Sequence, residues 1–204
     1  MNASPDAGNN APFALTLDPP PLHRYLDCTD LPSRVSMSLS RENLFAFLER
    51  HGIATTTVEH PALHSVEESQ RLRGAIPGGH TKNLFVKDKK GTIFLVVAEE
   101  DRTVDLKTLH KLIGAQGRLS FASADQMQDL LGVTPGSVTA FGVVNDEAHR
   151  VTLVLDAGLL AHDRLNCHPL TNTATTTIAR GDLLAFFAAT GHEPLVVSLD
   201  EIPT

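Results

Sequence analysis

Three short segments place polar groups inside otherwise apolar surroundings. Lys82 and Asn83 stand between a glycine-rich turn and a strand-like run in GGHTKNLFVKDKKG (78–91), Gly136 and Ser137 lie in the turn TPGSV (134–138), and His168 opens HPLTNTAT (168–175). A lysine at the mouth of a strand is easily aimed and costly to bury, a glycine lets a backbone come close to a ligand, and histidine is the commonest side chain for proton handling. Taken singly, each has an ordinary reading as a solvated lysine, a plain turn and a loop histidine before a proline. Other chemistries lack support. His60 and His64 have metal-ligand spacing only on a helix, which Pro61 disfavours, so no metal site is expected. GAIPGGH lacks the Gly-Lys-Ser/Thr order of a phosphate loop and is followed by a strand. No Gly-x-Ser-x-Gly elbow is present, and Cys167 is not assigned as a nucleophile, since its neighbour His168 would point to the opposite face of a strand; it reads as core.

The elements that must position these groups are marked by their caps and periods. Ser40 is a plausible N-cap for a helix with Leu44, Phe45 and Leu48 on one face, ended by Gly52. ATTTVEH reads as a strand, Ser65 to Arg73 as a short polar helix, and NLFVKD with TIFLVVA as a hairpin of two partly buried strands. Leu106, Leu109 and Leu112 mark a second apolar-faced helix, and Ser123 with Gln126 forms a capping box for a third that stops at Gly132. Strands SVTAFGVV and VTLVLD, an AGLLA turn, strand TATTTIA, helix DLLAFFAATG and strand PLVVSL complete the chain. The expected fold is a single α+β (mixed α/β) domain over residues 37–204, a central mixed β-sheet flanked by helices. Residues 1–36, rich in Pro, Asn, Ala and Asp without a sustained period, read as a flexible tail.

Charge sharpens the reading. The chain carries a formal net charge of −7, yet Arg71 to Arg118 holds ten basic residues against five acidic ones. Such asymmetry suits one face taking an anionic ligand while the rest repels it, and argues against indiscriminate binding to DNA. No apolar run is long enough to span a membrane and no signal pattern opens the chain, so a cytoplasmic protein with reduced thiols at Cys28 and Cys167 is expected.

Together the segments EHPA, GGHTKNLFVKDKKG, LSFASADQM, LGVTPGSVT, FGVVND, HPLTNTAT and GHEP resemble, in order and spacing from about residue 39 to 200, the prolyl-tRNA editing proteins of the YbaK/PrdX (ProXp-ala) superfamily, which includes the editing insertion of bacterial prolyl-tRNA synthetases. The resemblance implies an aminoacyl-tRNA deacylase that removes the wrong amino acid from tRNA, chiefly alanine from the proline tRNA, and needs no cofactor or metal. It implies misacylated tRNA, through its acceptor end, as partner, with prolyl-tRNA synthetase as a further one.

On the same resemblance, Lys82 matches the lysine near the terminal adenosine and its phosphate, and Asn83 its neighbour. Gly136 and Ser137 match the loop that approaches the aminoacyl ester, whose amides could stabilise developing negative charge. His168 matches a histidine of the amino-acid pocket, with Asn172 and Thr173 as hydrogen-bonding groups. One position departs: the stretch from Gly136 ends in Ala140 where the family commonly has proline, and losing that fixed φ would loosen the loop. Rival readings are a cysteine- or serine-specific deacylase, a hydrolase of free aminoacyl esters, and a catalytically inactive module that binds tRNA or a synthetase.

Overall fold

The computed structural model describes residues 39–62 and 76–201, all within the unit Met37–Thr204. The tail read over 1–36 and the polar helix read over 65–73 lie outside the described residues. Helix α1 (Arg41–Arg50) begins at the expected cap, the Ser40 side chain accepting from the Asn43 amide, and buries Leu44 and Leu48, one turn apart. Its chain then enters β1 (Thr55–Glu59) and, further on, the hairpin β2 (Gly79–Lys87) and β3 (Ile93–Glu99). Asp88 builds the hairpin turn: its carboxylate accepts the amides of Lys90 (2.8 Å), Thr92 (3.0 Å) and Gln116 (2.8 Å), which hold it below the ordinary carboxylate range. Helix α2 (Leu106–Leu112), the two-residue strand β4 (Ser120–Phe121) and helix α3 (Ala124–Leu131) follow, α3 with the full Ser123–Gln126 capping box. After β5 (Val151–Asp156) come β6 (Arg164–Cys167), β7 (Ala174–Ala179), helix α4 (Arg180–Ala189) and β8 (Leu195–Val197).

The eight strands form one mixed sheet in the order β1-β7-β6-β2-β3-β5-β8, with β4 added on β2. Side-chain alternation sorts its two faces. Phe85, Leu95, Val97, Leu153 and Ile178 join α1, α3 and α4 in the larger core, while Val86, Phe94, Val96, Ala98 and Val154 pack with Leu109 and Ile113 in a smaller one around α2. Each fully buried Leu or Phe contributes roughly 1.5–3 kcal/mol. Of the hairpin expected to be partly buried, β3 is buried from Ile93 to Ala98 because β2 and β5 flank it and helices lie on both faces.

Three expectations need correction. SVTAFGVV is not a strand: Ala140–Asn145 winds into a 3₁₀ turn, capped by the Thr139 hydroxyl accepting from Phe141. Residues 140–144 are all buried, so no polar face remained to reveal the period. The short strands β4 and β6 were not foreseen. Lys82 does not stand at a strand mouth, because β2 starts at Gly79 and the lysine is its fourth residue.

The glycines before β2 serve close packing. Gly78 has φ +114°, and a Cβ there would meet the Arg164 carbonyl at 2.6 Å; one on Gly79 would meet the His162 ring at 2.5 Å.

Candidate functional site

The sheet divides along one edge of β2. Gly79 and His80 pair in parallel with Leu165 and Asn166 of β6, whereas Val86 and Lys87 pair with β4 on the same edge. Between these ladders, residues 82–84 have a strand partner only in β3 among the described residues. Lys82 and Asn83 therefore occupy the place where β6 leaves and before β4 joins.

Alternation sends them to opposite faces. Lys82 shares its face with His80, Leu84 and Val86; Asn83 shares the other with Thr81 and Phe85. The Lys82 ammonium donates to the main-chain carbonyls of Glu100 (2.9 Å) and Arg102. Partial burial pushes its pKa below the ordinary lysine value, with Asp101 and Glu100 opposing the shift. The Asn83 side-chain oxygen is buried and accepts no hydrogen bond among the described residues.

His168 directly follows β6. The β2–β6 ladder ends with His80 on Asn166, beyond which the Thr81 hydroxyl donates to the Asn166 carbonyl (2.9 Å) and the Cys167 sulfur (3.6 Å). The side chains of His80 and Asn166 meet at 3.3 Å, on the face of β2 that alternation also gives to Lys82. His168 donates through Nδ1 to the Ala174 carbonyl (3.1 Å), which fixes its tautomer when neutral. His60 lies beside it, ring centres 6.5 Å apart. His60 Nδ1 donates to Pro61 O and Nε2 meets the Thr175 hydroxyl, both at 2.9 Å, so both ring nitrogens are engaged. His64 lies outside the described residues.

The two loops meet on their own terms. Gly136 is the third residue of a turn closed by the Ser137 amide donating to Thr134 O (3.0 Å), and its φ of +87° is the conformation that glycine after Pro135 permits. The side-chain amide of Asn172 lies 3.7 Å from where a Cβ on Gly136 would stand. Ser137 is buried, and its amide is spent on the turn. Thr173 is exposed; its hydroxyl bonds that of Thr171 (3.0 Å) and its carbonyl accepts from the His60 amide, a loop-closing part. Ala140 is fully buried at the first position of the 3₁₀ turn, next to the equally buried cap Thr139, so packing and the cap fix the backbone that a proline would fix elsewhere.

Sequence reasoning missed several parts of this region. Leu170 adopts φ +61°, a strained conformation for a branched side chain and one that clusters at functional sites. Nothing in its identity announces it. Arg102 was counted only as charge, yet it lies 3.4 Å from the buried Asp156, 3.7 Å from Glu99, and pairs with Asp200. Cys167 is core, as expected, and burial pushes its thiol up to about 11, which keeps it un-ionised and a poor nucleophile.

Residues 60–186 match the family described as the aminoacyl-tRNA editing domain. The chain is 40% identical over 162 residues to prolyl-tRNA synthetase associated domain-containing protein 1 of Danio rerio, covering 78% of this chain and 88% of that protein. It is 37% identical over 154 residues to the prolyl-tRNA editing protein ProX of Acetoanaerobium sticklandii, covering 75% and 93%. Among solved structures, a candidate trans-editing enzyme for prolyl tRNA synthetase superposes with a TM-score of 0.60 at 25% identity, covering 79% of this chain and 98% of that one.

Proposed function

Since the chain belongs to the aminoacyl-tRNA editing domain family, we propose that it is a trans-editing hydrolase of mischarged tRNA whose substrate is alanine carried on the proline tRNA. The observation that carries this reading is the gap in the β2 edge at Lys82, between the end of the β6 ladder and the start of the β4 one. Such a break exposes a charge held by a rigid strand, which suits the end of a polyanion better than a broad surface.

An ammonium has three N–H groups, and two of those of Lys82 bond to Glu100 O and Arg102 O. The third is the one offered to a phosphate of the acceptor end. Water attacks the ester carbonyl, with the neighbouring ribose hydroxyl of the substrate assisting. Because the Ser137 amide is occupied, the Gly136 amide is the loop's donor to the developing oxyanion. His168, its Nδ1 proton committed to Ala174, and Asn172, beside Gly136, position the amino acid.

Alanine enters by size, whereas proline is bulkier and lacks a primary amine. One methylene is worth only about 1–3 kcal/mol of discrimination, so serine and cysteine are the nearest competitors. Single-turnover release from matched charged tRNAs tests the reading. Alanine leaves the proline tRNA much faster than proline does, and His168→Ala narrows the difference. Equal release of proline would remove the assignment, and faster release of cysteine would move it to a cysteine-specific deacylase.

A further inference from the structure

Lysine side chains are flexible, and two main-chain carbonyls fix this one only if those carbonyls are themselves fixed. Both belong to the turn that follows β3. Its start is tied by the Glu100 amide donating to His80 O (2.8 Å) and by the Arg102 amide donating to Glu99 O (3.0 Å). Its far end depends on a side chain. The Arg102 guanidinium reaches across to β5 and beyond, with Nε 3.4 Å from Asp156, Nη2 3.7 Å from Glu99 and Nη1 paired with Asp200. The Nε–Asp156 approach lacks hydrogen-bond alignment and is an electrostatic contact. Asp156 is 1% exposed and is itself held, accepting from the Gly158 amide at 3.1 Å and more weakly from the Glu99 amide at 3.4 Å. The fit is close: a Cβ on Gly158 would lie 2.7 Å from Arg102 Nη2.

We propose that Arg102 is the positioning residue for Lys82: anchored on Asp156, Glu99 and Asp200, it sets the carbonyls that hold and orient the ammonium. The inference rests on Lys82 acting on the substrate, but its structural half stands apart from that. A planar fork that meets three carboxylates from different directions is what distinguishes arginine from lysine here. Arg102 needs no contact with tRNA.

The test reads Lys82 directly. In protein labelled with ¹⁵N-lysine, the hydrogen exchange of the Lys82 ammonium, assigned by its loss in Lys82→Arg, is compared with that of the exposed Lys89 and Lys90. The wild type shows protection at Lys82 alone of the three. Arg102→Gln and Arg102→Lys lose it while circular dichroism stays native. Their kcat/KM on Ala-tRNA(Pro) falls together with that protection, by about ten- to a hundredfold. Retained protection in the folded variants overturns the proposal. So does recovery of kcat/KM by Arg102→Lys, which would mean that charge rather than the fork is needed. Should the Arg102 variants not fold, Gly158→Ala pushes the guanidinium aside with the charge intact, and the same loss or retention decides. If protection is lost but Lys82→Ala deacylates normally, positioning stands and the catalytic reading of Lys82 fails.

Discussion

The ammonium of Lys82 is held at 2.9 Å by the carbonyl of Glu100, 18 residues further along the chain and across the β2–β3 hairpin. The side chain is thus preset before any ligand arrives, and the rotamer entropy of a lysine, up to ~2 kcal/mol, is already spent in folding. Lys82→Ala should cost about 100-fold or more in deacylation, the scale of a lost electrostatic stabiliser. Its melting temperature should stay close to wild type, since the residue belongs to neither core. Wild-type turnover at subsaturating tRNA would refute the role.

The same burial gives a pH dependence with a definite sign. Desolvation lowers the Lys82 pKa below its ordinary value. The folded protein therefore binds fewer protons than the unfolded chain in the window between the two values, and stability from this group rises with pH across that window. Below the folded value the buried charge is a constant cost. Function runs the other way, because a neutral amine no longer attracts phosphate. Binding of tRNA should weaken on the alkaline side before an ordinary lysine would titrate, and Lys82→Arg should abolish that limb. A binding curve flat up to the ordinary lysine range would show that Lys82 makes no ionic contact.

Motifs that resembled the family were not all parts of a site. FGVVND and GHEP meet far along the chain from the Lys82 segment: buried Asp146 accepts from the amides of Arg150 (3.0 Å) and Val151 (2.7 Å) and lies 3.3 Å from His192 Nε2, itself buried. This is an architectural clamp between the start of β5 and the end of α4. Asp146→Ala leaves buried donors without acceptors and should lower stability by roughly 2–4 kcal/mol. Equilibrium denaturation measures it. A change within error would mean that water replaces the carboxylate.

The helices and long strands were legible because local signals agree with tertiary demand. Ser40, Asp105 and Ser123 cap α1, α2 and α3, and the Leu106–Leu109–Leu112 spacing places Leu109 in the smaller core. The 3₁₀ turn at Ala140 was hidden by burial on all sides, and β6 by its shortness. At the site, residue types were readable while directions were not. Adjacent residues of a strand face opposite ways, so Lys82 and Asn83 cannot share one pocket wall as neighbours in sequence suggest. The Arg102 network adds Asp156 and Asp200, both distant in the chain, to the neighbouring Glu99, and no local spacing encodes those two partners.

The turn at Gly136 separates a backbone requirement from a packing requirement. With φ +87° the residue occupies a conformation that costs a non-glycine roughly 1–2 kcal/mol. Among the described residues space is available, since the nearest atom to an added methyl is the Asn172 amide nitrogen at 3.7 Å, an ordinary contact. Gly136→Ala should therefore fold, with a stability loss near that backbone cost. Its methyl would stand between the turn and Asn172, where the proposed ester lies, and relaxation of φ would turn the Gly136 amide away from the oxyanion. Gly52 supplies the control: it has φ +68°, nothing among the described residues within 4 Å of an added Cβ, and sits after α1. Gly52→Ala should lose similar stability and keep full deacylation, while Gly136→Ala should lose at least about tenfold in single-turnover rate. Equal rates in the two variants would mean that the turn serves the fold alone and that the oxyanion is stabilised from another element.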